Sequence, residues 1–263
     1  MSPESGQQND EQLAEGTLVS HLVELRTRLI RSALAVLVIF LCLVPFAEGI
    51  FTLIATPLME RLPEGATMIA TQVASPFLTP FKMTLFVAVF LGMPVLLYQV
   101  WLFVAPGLYR KEKRFAYPLL LSSIVLFYAG VAFAYYVVFP LMFAFFAGVA
   151  PEGVTMMTDI SAYLDFILTI FFAFGLAFEV PIATVMLVWS RLVSVETLGK
   201  ARAYVFLGAF VLGMLLTPPD VISQTLLAVP VYLLYESGLI LARFFGPESD
   251  PSDEPTKDET TGA

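Results

Sequence analysis

The sequence has little of the chemistry on which most enzymes depend. Of its 263 residues only 14% are charged, one is cysteine and one is histidine. The lone Cys42 lies in an apolar run, which excludes an internal disulfide and a cysteine-based metal site. The lone His21 has no second metal ligand at HExxH spacing. We therefore expect neither a disulfide framework nor a metal centre.

Nucleotide and hydrolase motifs are absent too. The Gly199-Lys200 pair has Ser194 where a phosphate loop needs glycine, and Ala201 where it needs serine or threonine. The chain has no GxSxG motif and no pair of intramembrane aspartates. We expect no enzyme activity and no cofactor, so any work on a substrate must draw its energy from elsewhere.

Hydrophobic residues make up 58% of the chain, which is typical of an integral membrane protein. A membrane-spanning helix needs about 20 apolar residues. Six stretches are candidates: 29–46, 83–104, 117–143, 164–189, 204–216 and 221–242. The fifth, at roughly 20 Å of helix, is short for an average bilayer. No internal repeat is apparent, which argues against an inverted-repeat transporter.

The net charge of −8 is concentrated at the chain ends. Ten acids lie before residue 21 or after residue 243, in segments rich in polar residues and proline. We expect two disordered tails, 1–20 and 246–263, around a transmembrane domain of residues 21–245. The polar, acidic start also predicts no cleavable signal peptide.

The basic residues of the domain predict its orientation. Eleven lie on one side of the predicted membrane and two, Arg61 and Lys82, on the other. By the positive-inside rule both termini are in the cytoplasm. Proline recurs in the spans, so we expect kinked helices that form a concave, cup-like bundle. The apolar first external loop, 47–80, should be an ordered cap or contain a short helix.

Two acids lie near the predicted cytoplasmic face. Glu24 precedes Arg28 by four residues, which favours an ion pair within one helix, but it could also bind a cationic ligand. Glu112 stands alone among four bases between Arg110 and Arg114, as a local ion-pair partner or as a second acid for the same ligand. Carboxylates suit arginine because guanidinium binds them bidentately.

Two more clusters lie within or between the spans. Glu179, in the motif FEVP, is an acid at membrane depth, where a functional or cavity-facing role is the default. Asp220 follows two prolines and should cap the sixth span. Thr217, Gln224 and Thr225 form a candidate docking patch for another helix, and Ala209 and Gly213 permit close helix approach.

These motifs occur in the order found in a known family. They are HLVELRTRL, ASPF with TP in the first external loop, YQVWLFVAPGLYRKEKR, FAY with VFP, FEVP and GMLLTPPDVISQT, all between His21 and Phe244. The sequence resembles TatC, the six-span subunit of the twin-arginine protein translocase, most closely in its proteobacterial form. The resemblance implies a receptor in the bacterial inner membrane for folded proteins with twin-arginine signal peptides, driven by the proton motive force.

The resemblance also implies roles for individual residues. It implies a signal-peptide site formed by Glu24, Leu25, Arg26, Phe103 and Glu112. Its other assignments are Glu179 as an intramembrane glutamate on the concave side, Met214, Thr217 and Gln224 as contacts for the single-span TatA and TatB helices, and Pro57 and Asp220 as functional external-loop positions. Membrane lipid and further TatC copies are the other implied partners, and nucleic acid is not one.

Two other functions remain open from the residues alone. A proton-coupled small-solute transporter would use Glu179 as its ionisable group. A structural membrane scaffold would tolerate substitution at Glu24 and Glu112 while remaining sensitive at Gly213 and Gln224.

Overall fold

A computed structural model describes residues 4–59, 67–104, 116–149, 157–216 and 220–245. Almost all of these residues are helical, as expected for an all-α membrane protein. The helices are α1 Glu4–Leu43, α2 Ala47–Met59, α3 Ser75–Val104, α4 Ala116–Phe133, α5 Phe139–Val149, α6 Ile160–Ala177, α7 Val180–Trp189, α8 Val195–Lys200, α9 Arg202–Leu216 and α10 Val221–Phe245. Two short strands, β1 Thr67–Ile69 and β2 Met157–Asp159, complete the described fold.

Within the part of the chain that the structure describes, five helical stretches are long and apolar enough to cross a membrane, and one more is shorter. The five are Leu22–Ile54, Ser75–Phe103, Tyr117–Phe145, Ile160–Trp189 and Val221–Phe244. The shorter one is Arg202–Leu216, whose 15 residues give about 22 Å of helix. The six predicted apolar helices are confirmed, including the unusual shortness of the fifth.

Helix α1 includes residues 4–20, the segment for which the sequence predicts disorder. Helix α1 begins at Glu4, immediately after Pro3, and continues without a break into the first span. The segment is polar but contains several good helix formers, among them Gln7, Gln8 and Ala14, and proline is absent after Pro3. Helix formation needs only backbone hydrogen bonds along one chain, so a segment too polar to join a core can still extend a helix. The predicted C-terminal tail, 246–263, lies outside the described residues.

Three spans are interrupted at or just before a proline. In the first, a 3-10 turn at Val44–Phe46, which contains Pro45, separates α1 from α2. In the fourth span the α-helix breaks at Phe178 and Glu179 and resumes as α7, with Pro181 in its first turn. In the third span a π-helical segment, Ala134–Val138, separates α4 from α5 and ends two residues before Pro140. Proline lacks a backbone donor, so the preceding carbonyls lose a partner and the helix rearranges there. By contrast, α3 and α10 continue as α-helices through their internal prolines.

The loop before α3 and the loop before α6 are joined and form one outer cap at the same end of the bundle. Strands β1 and β2 pair in parallel, with Met68 opposite Thr158. Below them, Thr79 at the start of α3 shares a hydrogen bond of 2.9 Å with Ser161 in α6. Helix α2 confirms the expected short helix in the first of these loops. The pairing between the loops could not be predicted, because the strands are very short and lie far apart in the sequence.

Glycine brings the third and fourth spans into close contact. A Cβ atom on Gly175 would lie 2.5 Å from Cε2 of Phe127, and one on Gly130 would lie 2.9 Å from the carbonyl carbon of Phe174. Phe127 and Phe174 are completely buried, at the centre of the aromatic core. Only glycine permits this spacing, which fixes the relative register of α4 and α6.

Candidate functional site

The carboxylate of Glu24 is near the start of the first span and forms an ion pair within α1. The Arg28 guanidinium donates from Nε to Glu24 Oε1 over 3.1 Å and from its second nitrogen to the same oxygen. The spacing of four residues puts both side chains on one helix face. The Glu24 side chain is 38% exposed, and Leu25 and Arg26 beside it are also exposed. The carboxylate is therefore paired and still accessible.

The packing of α1 along α3 brings Glu24 towards the end of the second span. Gly92 lies against Val36, since a Cβ on it would be 3.2 Å from Val36 Cγ2. Glu24 lies before Val36 on α1, and Val104 lies after Gly92 on α3, by the same number of residues. Because the two helices run in opposite directions with the same rise per residue, Glu24 is level with the end of α3, where half-buried Phe103 lies.

Three residues implied by the family resemblance are not fully described. Glu112 and Thr217 lie outside the described residues. Pro57 belongs to helix α2, but its side chain is not described. The convergence of Glu24 and Glu112 on one ligand therefore stays a prediction.

A polar group lies inside the bundle where the fourth span breaks. Glu179 occupies the N-terminal end of α7 without making a capping bond, and its Oε1 atom is buried with no hydrogen-bond partner among the described residues. The hydroxyl of buried Ser123, on α4, lies within hydrogen-bonding reach of the carboxylate. Ser123 and Glu179 come together because Gly130 and Gly175 fix the register of α4 against α6.

Trp101, on α3 in the second span, joins Glu179 and Ser123 in this polar group. Its indole Nε1 donates to Ser123 Oγ over 3.4 Å, and the indole ring is 5% exposed. An indole N–H can only donate, so Ser123 uses its oxygen to accept from Trp101 and has its own proton for Glu179. Trp101 and Ser123 thus orient one carboxylate oxygen of Glu179, and the other oxygen has no hydrogen-bond partner among the described residues.

The helix hairpin of α9 and α10 carries the predicted docking patch. Met214 on α9 is 53% exposed. Gln224, one turn into α10, donates its side-chain amide to the Phe210 carbonyl over 2.8 Å, so part of its hydrogen-bonding capacity is used within the hairpin. Gly213 lies against the same glutamine, with a Cβ–Cγ distance of 3.0 Å if a Cβ were present. The predicted close approach at Gly213 is confirmed.

The capping role predicted for Asp220 is confirmed. Its Oδ1 accepts from the backbone N–H of Ser223 over 2.7 Å. The second oxygen, Oδ2, is buried without a partner among the described residues. The side chain therefore caps the N-terminus of α10.

Sequence reasoning missed two further acids in the spans, each with a basic partner. Asp165 in α6 pairs with Lys82 in α3, with 2.6 Å between Oδ1 and Nζ. Glu236 in α10 pairs with Arg202 at the start of α9. The signal for the second pair is present in the sequence, because Arg202 and Glu236 are equally far from Pro219, on opposite sides of the predicted turn.

Asp159 connects the two outer loops and was also missed. Its Oδ1 caps α6 by accepting from the backbone N–H groups of Ser161 and Ala162, and its Oδ2 accepts from the backbone N–H and hydroxyl of Thr71. These hydrogen bonds lower the pKa of Asp159 to about 2, and the one from the Thr71 hydroxyl has the largest effect. The cap therefore favours the charged form of this carboxylate.

Comparison with known proteins agrees with the architecture. The family model described as Sec-independent protein translocase protein (TatC) matches residues 20–230. A Sec-independent protein translocase protein TatC of Azotobacter chroococcum is 63% identical over 238 residues, covering 90% of this chain and 92% of the relative. The protein of the same name from Escherichia coli strain K12 is 58% identical over 228 residues, covering 87% of this chain and 88% of the relative.

A solved structure gives the same result for the fold. The crystal structure of the twin-arginine translocase receptor TatC superimposes with a TM-score of 0.77 at 38% sequence identity. The match covers 85% of this chain and 98% of the solved chain. None of the described residues forms a group of three or more His, Cys, Asp or Glu side chains suited to a metal ion.

Proposed function

The chain belongs to the TatC family of Sec-independent protein translocase proteins, and we propose that it is the receptor subunit of a twin-arginine translocase. The family is one of translocase receptors and not a known enzyme family. The observation that carries the proposal is the position of Glu24. Its carboxylate is accessible, it lies at the end of the bundle that carries the arginines of the first span, and it is level with Phe103 on α3.

Glu24 suits an arginine ligand for a physical reason. Both contacts from Arg28 go to Oε1, so Oε2 lies outside that pair. A partly exposed ion pair within one helix contributes only about 0.3–0.5 kcal/mol. A bidentate guanidinium from a peptide can therefore displace Arg28 at low cost, especially if Glu112 supplies a second carboxylate and Phe103 an apolar contact.

The basic end of the bundle is proposed to face the cytoplasm. Arg26, Arg28 and Arg31 lie at the start of the first span, Arg202 is the first residue of α9, and Arg243 lies in the last turn of α10. With both termini on that side, the chain crosses the bacterial inner membrane six times, and signal peptides reach Glu24 before export begins.

The other proposed contacts are with the membrane-embedded partners. The single-span TatA and TatB helices would dock on the surface that carries Met214, Thr217 and Gln224, and a polar side chain entering the bundle would reach the free oxygen of Glu179. A buried acceptor without a partner favours such a donor, because leaving it unpaired in hydrocarbon is costly. Transport itself is proposed to use the proton motive force.

The test is binding of a twin-arginine signal peptide with a photo-crosslinker beside its arginine pair. In membranes, Glu24→Ala should reduce crosslinking at least fivefold, and replacing the two peptide arginines by lysine should have a similar effect. The matched control is Glu196→Ala, because Glu196 is an exposed acid on α8 at the same end of the bundle. Equal crosslinking by the Glu24 and Glu196 variants would overturn the assignment.

Export completes the test. In cells lacking their own TatC, this chain should restore export of a folded reporter with a twin-arginine signal, and the Glu24→Ala variant should not. If the chain restores export but Glu24→Ala exports normally, the receptor function stands and the site is elsewhere.

A further inference from the structure

The strongest unassigned feature is the ion pair between the fifth and sixth spans. Arg202 donates from Nε to Glu236 Oε1 over 2.6 Å and from its second nitrogen to Oε2 over 3.0 Å. The Tyr232 hydroxyl donates to Oε1 over 3.0 Å. Three hydrogen bonds thus occupy both carboxylate oxygens, with a two-pronged geometry that only arginine supplies.

The pair is part of a regular antiparallel contact along the whole hairpin. Phe206 packs edge-on against Tyr232, with ring centroids 5.4 Å apart, and Gly213 lies against Gln224 at the other end. For Arg202 with Glu236 and for Phe206 with Tyr232, the midpoint in sequence is Pro219, inside the proline turn. Each contact therefore specifies the same register between α9 and α10.

The pair also determines how deep α9 lies. Glu236 precedes the last residue of α10, Phe245, by nine positions, or about 13 Å of helix. The first residue of α9 is thus held about 13 Å below the end of its neighbour. Above it, the short helix α8 packs on α10, where the Tyr235 hydroxyl donates to the Leu198 carbonyl over 2.7 Å.

A short helix needs such a constraint. A helix of about 22 Å is shorter than the hydrocarbon layer, so its own hydrophobic length does not fix its depth, and local thinning of the bilayer lets it slide at small cost. An unpaired arginine at its start would extend towards the headgroups and draw the helix outwards. A change of one helical turn, about 5.4 Å, would move Met214 and the whole exposed face of α9 relative to α10.

We propose that Arg202 and Glu236 are a positioning pair that fixes the depth and register of the fifth span against the sixth, and so presents the face of α9 that carries Met214 to a single-span partner helix. The part concerning the partner depends on the function proposed above. The part concerning depth does not, and it can be measured without partner or cargo.

The depth test uses single cysteines in a Cys42→Ser background, labelled with a water-soluble maleimide in open membrane fragments. Leu207→Cys reports on α9, where Leu207 is 62% exposed. Leu233→Cys is the matched control on α10, because Leu233 is 60% exposed and lies at nearly the same level of the hairpin.

The two halves of the pair should have opposite effects. With Glu236→Gln, Arg202 is released towards the water, α9 follows, and labelling at the Leu207 position should rise at least fivefold. With Arg202→Gln, α9 loses its only charge and moves deeper, so labelling there should fall at least fivefold. The charge swap Arg202→Glu with Glu236→Arg should restore labelling to within twofold of the parent.

Three outcomes would overturn the proposal. The first is labelling at the Leu207 position within twofold of the parent in both single variants. The second is a change of the same sign in both, which indicates general loosening of the hairpin. The third is an equal change at the Leu233 control position, which means that the pair maintains the fold and not the depth of α9.

A second measurement separates this proposal from the proposed function. A photo-crosslinker at the Met214 position should capture a single-span helix in the parent and in the charge swap, but fivefold less in Glu236→Gln. If the parent and all the variants capture no helix while the depth results are as expected, the docking function alone would be refuted. Unchanged capture in Glu236→Gln despite a change in depth would refute the claim that this pair presents the docking face.

Discussion

Replacing Gly130 by alanine tests whether glycine packing builds the polar group at Glu179. A Cβ atom there would be 2.9 Å from the Phe174 carbonyl carbon and 2.9 Å from Phe178 Cγ. Ordinary contacts begin near 3.4 Å and the Phe174 carbonyl oxygen would lie nearer still, so α4 must retreat from α6 by more than half an ångström. Overpacking of this kind costs about 1–3 kcal/mol.

The control is Gly208→Ala in α9, where an added Cβ meets nothing within 4 Å. Both substitutions gain the same helix propensity, about 1 kcal/mol, so the difference between them isolates the steric cost. In detergent, loss of the monodisperse protein on heating should occur roughly 2–12 °C lower for Gly130→Ala than for Gly208→Ala.

Export should fall as well, because the shift separates Ser123 from Glu179. Equal midpoints for the Gly130 and Gly208 variants would refute the close approach of α4 and α6. Lower stability with normal export would show that the approach matters for folding alone, and that the Ser123 contact does not serve transport.

The remaining predictions concern the outer cap and its neighbouring ion pair. The charged Asp159 carboxylate accepts hydrogen bonds from Thr71, and these lower its pKa to about 2, so the stability that they contribute is complete above pH ~5 and is lost as the pH falls to ~1. The difference in melting temperature between the parent and Asp159→Asn should therefore be constant above pH ~5 and shrink steadily between pH ~5 and ~1; a difference that does not change with pH would contradict this. Lys82→Met leaves Asp165 as an unpaired acid and should lower the melting temperature more than the double change Lys82→Met with Asp165→Leu; equal losses would mean that the pair contributes no coupling.

Some features followed from the sequence because they depend on neighbouring residues alone. Apolar runs long enough to cross a bilayer predicted the spans, and the shorter fifth run predicted a short helix. The aspartate that follows two prolines predicted the cap of α10. The ion pair of Glu24 with Arg28 also followed, since a spacing of four residues fixes it on any helix.

The ion pairs of Asp165 and Glu236 do not follow from neighbouring residues. Their basic partners lie far earlier in the chain, on other helices.

The sequence by itself determined which segments enter the membrane, where the helices turn and which family the chain resembles, because hydrophobic length, proline and short motifs act locally. The tertiary structure decided which acids are paired and which are free. It joined Asp159 to Thr71 and Arg202 to Glu236, and it brought Ser123 to one oxygen of Glu179 while leaving the other without a partner among the described residues. These arrangements depend on helix register, which is set by close packing at glycine between segments distant in sequence.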